Sequence, residues 1–245
     1  MRSRADAAPA WLWTAELGGP GETILLDAEV AHHLVRVCRA RAGDAVSLTD
    51  GCGALARAEV ATLRPQATVR VIEVDRAASP PGRSLACGAP EGERADWMVE
   101  KLAELGITTF QPLETARAGW RIGGPRLERW RRLARAALGQ SRGRFLMEVR
   151  PPVGLEAWLA PERRDRACLW VADPEGTTPG SAARDPSKAW VGLIGPSAGF
   201  DDRERSAIAA RGFEAIRLAG TRLRTETAAI AMASATAAWG GNSSA

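Results

Sequence analysis

Cysteine and histidine are scarce in this sequence, with four and two copies among 245 residues. Cys38, Cys52, Cys87 and Cys168 stand far apart with no Cys-x-x-Cys pair, and the histidines are the adjacent His32 and His33. That spacing suits neither a disulfide framework nor a structural zinc site, so no metal is assigned and the chain reads as cytoplasmic. Long apolar runs are missing too. Stretches such as Ala167 to Ala172 fall far short of the roughly 20 residues that span a bilayer, and no membrane partner is expected. The opening Met1-Arg2-Ser3-Arg4-Ala5-Asp6 has no apolar core behind it, so no secretory signal is expected either. Lysine is nearly absent: apart from Lys101 and Lys188, every basic side chain other than the histidines is arginine.

What is present is an ample supply of core residues. The chain is 45% hydrophobic, and its length suits one large domain or two modest ones. The net charge of +4 is unevenly spread. Ten arginines between Glu114 and Arg150 face only Glu114, Glu128 and Glu148, whereas the first part of the chain is close to balance. Such a stripe fits phosphate contacts and equally fits a solvated helix face.

Turn and periodicity signals divide the chain. Up to about residue 77 it reads as β-rich, with strands at Thr23–Leu26, Ala45–Leu48 and Ala67–Val74 and a short helix over Ala28–Arg39. Ala78-Ser79-Pro80-Pro81-Gly82 is a linker, since prolines and glycine end regular structure. From residue 84 to 245 strands and helices alternate. Strands are expected at Ser84–Cys87, Ile107–Phe110, Ala167–Ala172, Trp190–Ile194 and Glu214–Leu218. Helices are expected at Glu93–Leu105, Pro125–Gln140, Asp201–Arg211 and Thr225–Trp239. The second helix buries Leu127, Trp130, Leu133 or Ala134, and Ala137 along one stripe. Such alternation implies an α/β fold with a mostly parallel sheet covered on both faces.

Gly51-Cys52-Gly53-Ala54-Leu55-Ala56 matches the loose dinucleotide pattern G-x-G-x-x-A, but Arg57-Ala58-Glu59-Val60-Ala61 behind it reads as the second strand of a hairpin, not a helix. Two later loops are stronger candidates. Gly195-Pro196-Ser197-Ala198-Gly199-Phe200 leaves the apolar strand Trp190–Ile194. Leu218-Ala219-Gly220-Thr221-Arg222-Leu223-Arg224 leaves the next strand and enters the last helix. Open α/β sheets bind ligands outside the carboxyl ends of their strands, and glycines allow close backbone approach. Asp201 or Asp202 is available to cap the helix after the first loop.

Together these segments resemble the RsmE-type ribosomal RNA methyltransferases of the SPOUT superfamily. Ile194-Gly195-Pro196-x-x-Gly199-Phe200 and Leu223-Arg224-Thr225-Glu226-Thr227-Ala228 carry the likeness. Glu100-Lys101-Leu102-Ala103-Glu104-Leu105-Gly106 and Gln140-Ser141-Arg142 extend it, and His32-His33-Leu34, Val37, Arg39, Gly43-Asp44 and Asp50-Gly51 look like the family's N-terminal barrel. The resemblance implies a small PUA-like, RNA-binding β-barrel over residues 1–77. It implies a SPOUT trefoil-knot methyltransferase domain over residues 84–245, usually dimeric.

By the same resemblance, S-adenosylmethionine (SAM) is held by Ile194, Gly195, Pro196, Gly199, Leu218, Leu223 and Thr225. Arg224 and Glu226 serve the chemistry, and Arg39, Lys101, Arg117 and Arg142 meet the substrate, a uridine N3 in rRNA of the small ribosomal subunit. The family's departures here are Ser197-Ala198 for Glu-Gly, Ala219 for a glycine, Gly139 for a glutamate, Glu91 for a lysine and Ala118 for a serine. They leave open a paralogue that uses SAM on a small molecule, and an RNA-binding module without catalysis. A homodimer is expected through the last helix, whose Ala229, Ile230, Ala233, Ala237 and Trp239 suit close helix approach, although the alanines equally suit packing on their own sheet.

Overall fold

The first sheet contains β1 (Ala10–Trp13), β2 (Thr23–Leu25), β3 (Ala45–Thr49), β4 (Ala54–Thr62) and β5 (Thr68–Arg76), in the order β1-β3-β4-β5-β2. The computed structural model describes residues 9–90, 93–120, 123–160, 167–178 and 188–240. The chain forms two units, one running up to Ser79 and including Leu138–Leu146, the other comprising Pro80–Ala137 and the residues from Met147 onward.

In the first unit, Asp50 makes the central hairpin. Its Oδ1 accepts from Cys52 N at 2.7 Å and Ala54 N at 3.1 Å, while Gly51 and Gly53 adopt φ of 73° and 102°. β3 and β4 therefore pair antiparallel, Leu48 opposite Ala56. The glycine pattern here belongs to a β-turn, as its strand-like continuation requires. Alternate residues Ala54, Ala56, Ala58 and Val60 face inward, in the period of two that a half-buried strand demands. Ala56, Ala58 and Val60 join Leu12, Leu34, Leu48, Val69 and Val71 in the sheet's core. Leu34 belongs to a π-helical turn, His33–Val37, that continues α1 (Ala28–His32). β1 was not legible in the sequence: Ala-Trp-Leu-Trp does not alternate in polarity, and only parallel pairing with β3 orders it.

The second unit follows the expected alternation. Its strands are β6 (Arg83–Cys87), β7 (Thr109–Glu114), β8 (Glu148–Val149), β9 (Val153–Gly154), β10 (Cys168–Thr177), β11 (Trp190–Ile194) and β12 (Glu214–Ile216). Its helices are α2 (Ala95–Glu104), α3 (Gly124–Ser141), α4 (Leu155–Leu159), α5 (Asp202–Ala210) and α6 (Thr225–Gly240), the last residues of α3 counting with the first unit. The strand order is β12-β10-β11-β6-β7-β8 with β9 beside β7, and each pairing is parallel. β11 is buried along its whole length, which explains its unbroken apolar sequence. α2 stops just before Gly106, whose φ of 73° is a left-handed helix stop. On α3 the buried stripe runs through Trp130, Ala134, Ala137 and Leu138; Ala134, not Leu133, continues it.

Arg83 fastens three elements of this unit. Nη1 donates to Leu105 O at 2.8 Å, capping α2, and Nη2 donates to Ala233 O at 3.1 Å and Thr236 Oγ1 at 3.0 Å on α6. α6 in turn lies so close to β11 that a Cβ on Gly192 would overlap Met232 Sδ.

Candidate functional site

The carboxyl ends of β10, β11 and β12 open on a cavity of about 860 Å³, within the roughly 300–1,000 Å³ typical of small-molecule sites. All seven residues assigned to the cofactor line it: Ile194, Gly195, Pro196, Gly199, Leu218, Leu223 and Thr225. Arg224 and Glu226 line it too. The two loops separated by some twenty residues of sequence are joined directly. Thr225 Oγ1, buried at the start of α6, donates to Gly195 O at 3.1 Å. Arg222 Nη2 reaches Ser197 O at 3.5 Å and Arg117 Nη1 donates to Ala198 O at 3.0 Å. The loop is thus held by main-chain acceptors, which the Ser197 and Ala198 departures leave in place.

Local geometry explains the loop's shape. Gly199 N closes a turn onto Pro196 O at 2.8 Å, and Gly199 takes φ of 71°, where a side chain is strained. Asp201 is the N-cap of α5: Asp201 Oδ1 accepts from Glu204 N at 2.8 Å, and Glu204 Oε2 accepts from Asp201 N at 2.9 Å, a reciprocal capping box. Glu204 also accepts from Ala116 N through Oε1 at 2.8 Å, and this brings the neighbouring Arg117 to the loop. Sequence reasoning missed that second role, although Asp-x-x-Glu is a capping-box pattern. It missed Gly88 as well, where a Cβ would sit 2.5 Å from Pro196 N, and Trp120, whose Nε1 donates to Cys87 O at 3.0 Å.

The charged groups differ sharply in setting. Arg224 is exposed, and its guanidinium makes no hydrogen bond or ion pair among the described residues. Glu226 is 2% exposed, and its Oε1 has no hydrogen-bond partner among the described residues. Arg94 Nη1 is 3.5 Å from that oxygen. Cys87 lies close by; burial, and after it the Glu226 charge, push its thiol far up, so it stays neutral and donates to Gly88 O. Buried carboxylates are costly without a compensating charge, and Arg94 stands where it offsets that cost.

The remaining substrate candidates lie elsewhere. Lys101 is ion-paired with Glu100 at 2.8 Å and Glu104 at 2.7 Å on α2. Arg39 and Arg142 belong to the first unit, both exposed and both with left-handed φ, 52° and 55°. Of the four, only Arg117 meets the pocket loops. The described residues hold no cluster of His, Cys, Asp and Glu suited to a metal.

A parallel sheet with a roomy pocket between two joined loops at its carboxyl edge defines a small-molecule-binding α/β domain. Residues 79–237 match the family of the RNA methyltransferase domain, and residues 26–72 match the RNA methyltransferase PUA domain. The chain belongs to the RNA methyltransferase family. It is similar to the ribosomal RNA small subunit methyltransferase E of Synechocystis sp., 29% identical over 84% of this chain and 70% of that protein. The protein of the same name from Mycobacterium tuberculosis is also 29% identical, over 85% of this chain and 84% of its own. Among solved structures, a ribosomal RNA small subunit methyltransferase E from Neisseria gonorrhoeae bound to SAM superposes with a TM-score of 0.84, at 28% identity, covering 93% of this chain and 96% of that one. A methyltransferase from Legionella pneumophila in complex with SAM gives 0.83 at 25% identity, covering 95% and 98%.

Proposed function

We propose that this chain is a SAM-dependent methyltransferase that methylates N3 of a uridine in small-subunit rRNA. The observation that carries the reading is the pocket itself: two glycine-bearing loops around a cavity of SAM-compatible size, with the buried Glu226 among its lining residues. The residues suit the group. Ile194, Leu218 and Leu223 give apolar surface for a purine, and no atom lies within 4 Å of the Cβ position at Gly199, so the backbone there is open to a ligand. Bound SAM supplies a methyl group on a sulfonium. Uracil N3 carries a proton at neutral pH, so transfer to nitrogen requires a proton acceptor and a cation near the negative charge that builds on the ring. Glu226 takes the N3 proton, and Arg224 offsets the charge on the uracil oxygens.

The same reading includes the trefoil knot, a cytoplasmic setting, and a homodimer, as in the SPOUT enzymes that the chain resembles. It gives rRNA contacts to the PUA domain and to Arg39, Lys101, Arg117 and Arg142. Ala229 and Ala233 are fully buried within the chain, so a dimer contact through α6 would use its other face, where Ile230 is half-buried. Calorimetry with SAM and transfer of labelled methyl to undermethylated small ribosomal subunits, followed by mass spectrometry of the nucleosides, test the proposal. N3-methyluridine is the expected product. SAM binding without any methylated rRNA overturns the substrate, and no SAM binding overturns the enzyme. Light scattering that shows only a 26.0 kDa species overturns the dimer.

A further inference from the structure

We infer that Arg94 is the positioning residue for Glu226, fixing its buried carboxylate at the pocket wall through their ion pair. The inference rests on the methyltransferase reading above. Three observations carry it. Glu226 is almost wholly buried, yet its Oε1 accepts no hydrogen bond among the described residues. The cation beside it, Arg94 Nη1, stands at 3.5 Å, near enough for charge compensation. The Arg94 side chain is 58% exposed against 2% for Glu226, so the pair reaches from solvent to a buried wall.

Among the described residues, no other cation is ion-paired with the carboxylate. Cys87 is a neutral thiol whose Sγ–H is directed to Gly88 O, and the Trp120 Nε1–H is used by Cys87 O. A carboxylate buried in such a place is stabilised by a counter-charge held close to it. Arg94 supplies that charge. Arg94 stands immediately before α2 and Glu226 in the first turn of α6, two helices that pack together, so the spacing is fixed by the fold.

The test is a double-mutant cycle on the full chain, with steady-state methylation of small ribosomal subunits and SAM calorimetry for each protein. Arg94→Ala is expected to lower kcat about tenfold or more while SAM Kd stays within about twofold. Arg94→Lys restores most of kcat, because an ammonium also supplies the charge. In a Glu226→Gln background, Arg94→Ala has no further effect, since no charge remains to be held. Equal losses from Arg94→Ala in both backgrounds, or a fall in SAM affinity that matches the fall in kcat, overturn the inference. So does an Arg94→Ala protein with wild-type kcat. If wild type binds SAM but methylates no uridine, the reading of the substrate fails, and this inference with it.

Discussion

Thr225 and Gly195 meet across the pocket: the Thr225 hydroxyl donates to the Gly195 carbonyl at 3.1 Å, joining the loop after β11 to the first residue of α6. Thr225→Val keeps the shape and removes the donor, leaving a carbonyl without its partner. A loss of about 1 kcal/mol follows for such a bond, read as roughly a fivefold weaker SAM Kd by calorimetry. Unchanged affinity in a folded variant means that the two loops do not depend on this link.

Gly199→Val tests the turn. Open space surrounds the Cβ position, so the cost in the free protein is conformational, from φ of 71°. A left-handed L-residue costs about 1–2 kcal/mol, and a β-branched one more. Thermal melts should show a drop of several degrees. SAM affinity should fall further than stability does, because the new side chain occupies the cavity. Gly199→Asn is expected to melt close to wild type.

Arg224 is exposed on the pocket wall and has no partner to lose among the described residues. Arg224→Ala should therefore leave the melting temperature and SAM Kd nearly unchanged and lower kcat by about 10²–10³, the range for removing one charge-stabilising donor. Loss of SAM binding in the folded variant moves Arg224 from the chemistry to the cofactor.

Arg83→Ala removes the clamp that caps α2 and ties it to α6. Carbonyls at Leu105 and Ala233 lose a charged donor, which costs about 2–3 kcal/mol and about 5–10 °C in melting temperature. Residual activity at low temperature should persist, since Arg83 does not line the pocket.

Asp96 ties α2 to α3 through Trp130 Nε1 at 2.6 Å and Arg129 Nε at 2.5 Å. Burial pushes its carboxyl up, but the hydrogen bonds from Trp130 and Arg129 outweigh that and leave it below the ordinary aspartate value. A depressed folded value stabilises the protein above the unfolded value, about 3.9, and the benefit is lost as pH falls through the folded one. Urea titrations of wild type and Asp96→Asn should differ by a constant amount above about pH 5 and draw together only as pH falls below the unfolded value of about 3.9. A gap that widens on acidification contradicts the assignment.

The sequence by itself determined the alternation of elements, because apolar periodicity and turn residues act locally. Trp190–Ile194 is apolar throughout since it is buried on both sides, and Gly106 stops α2 since only glycine takes that φ cheaply. It also determined the pocket's wall, because the motif residues sit at strand ends where a parallel sheet must open. Tertiary structure alone decided the rest. β1, β8, β9 and α4 span two to five residues and carry no period of their own, so only partners order them. Asp201 reads as a capping residue in sequence, whereas the hold of Glu204 on Ala116 exists only because α5 folds against the turn after β7. Arg94 and Glu226 are separated by more than half the chain. No local pattern links them, and their meeting depends on α2 packing against α6, a contact set by the order of strands in the sheet.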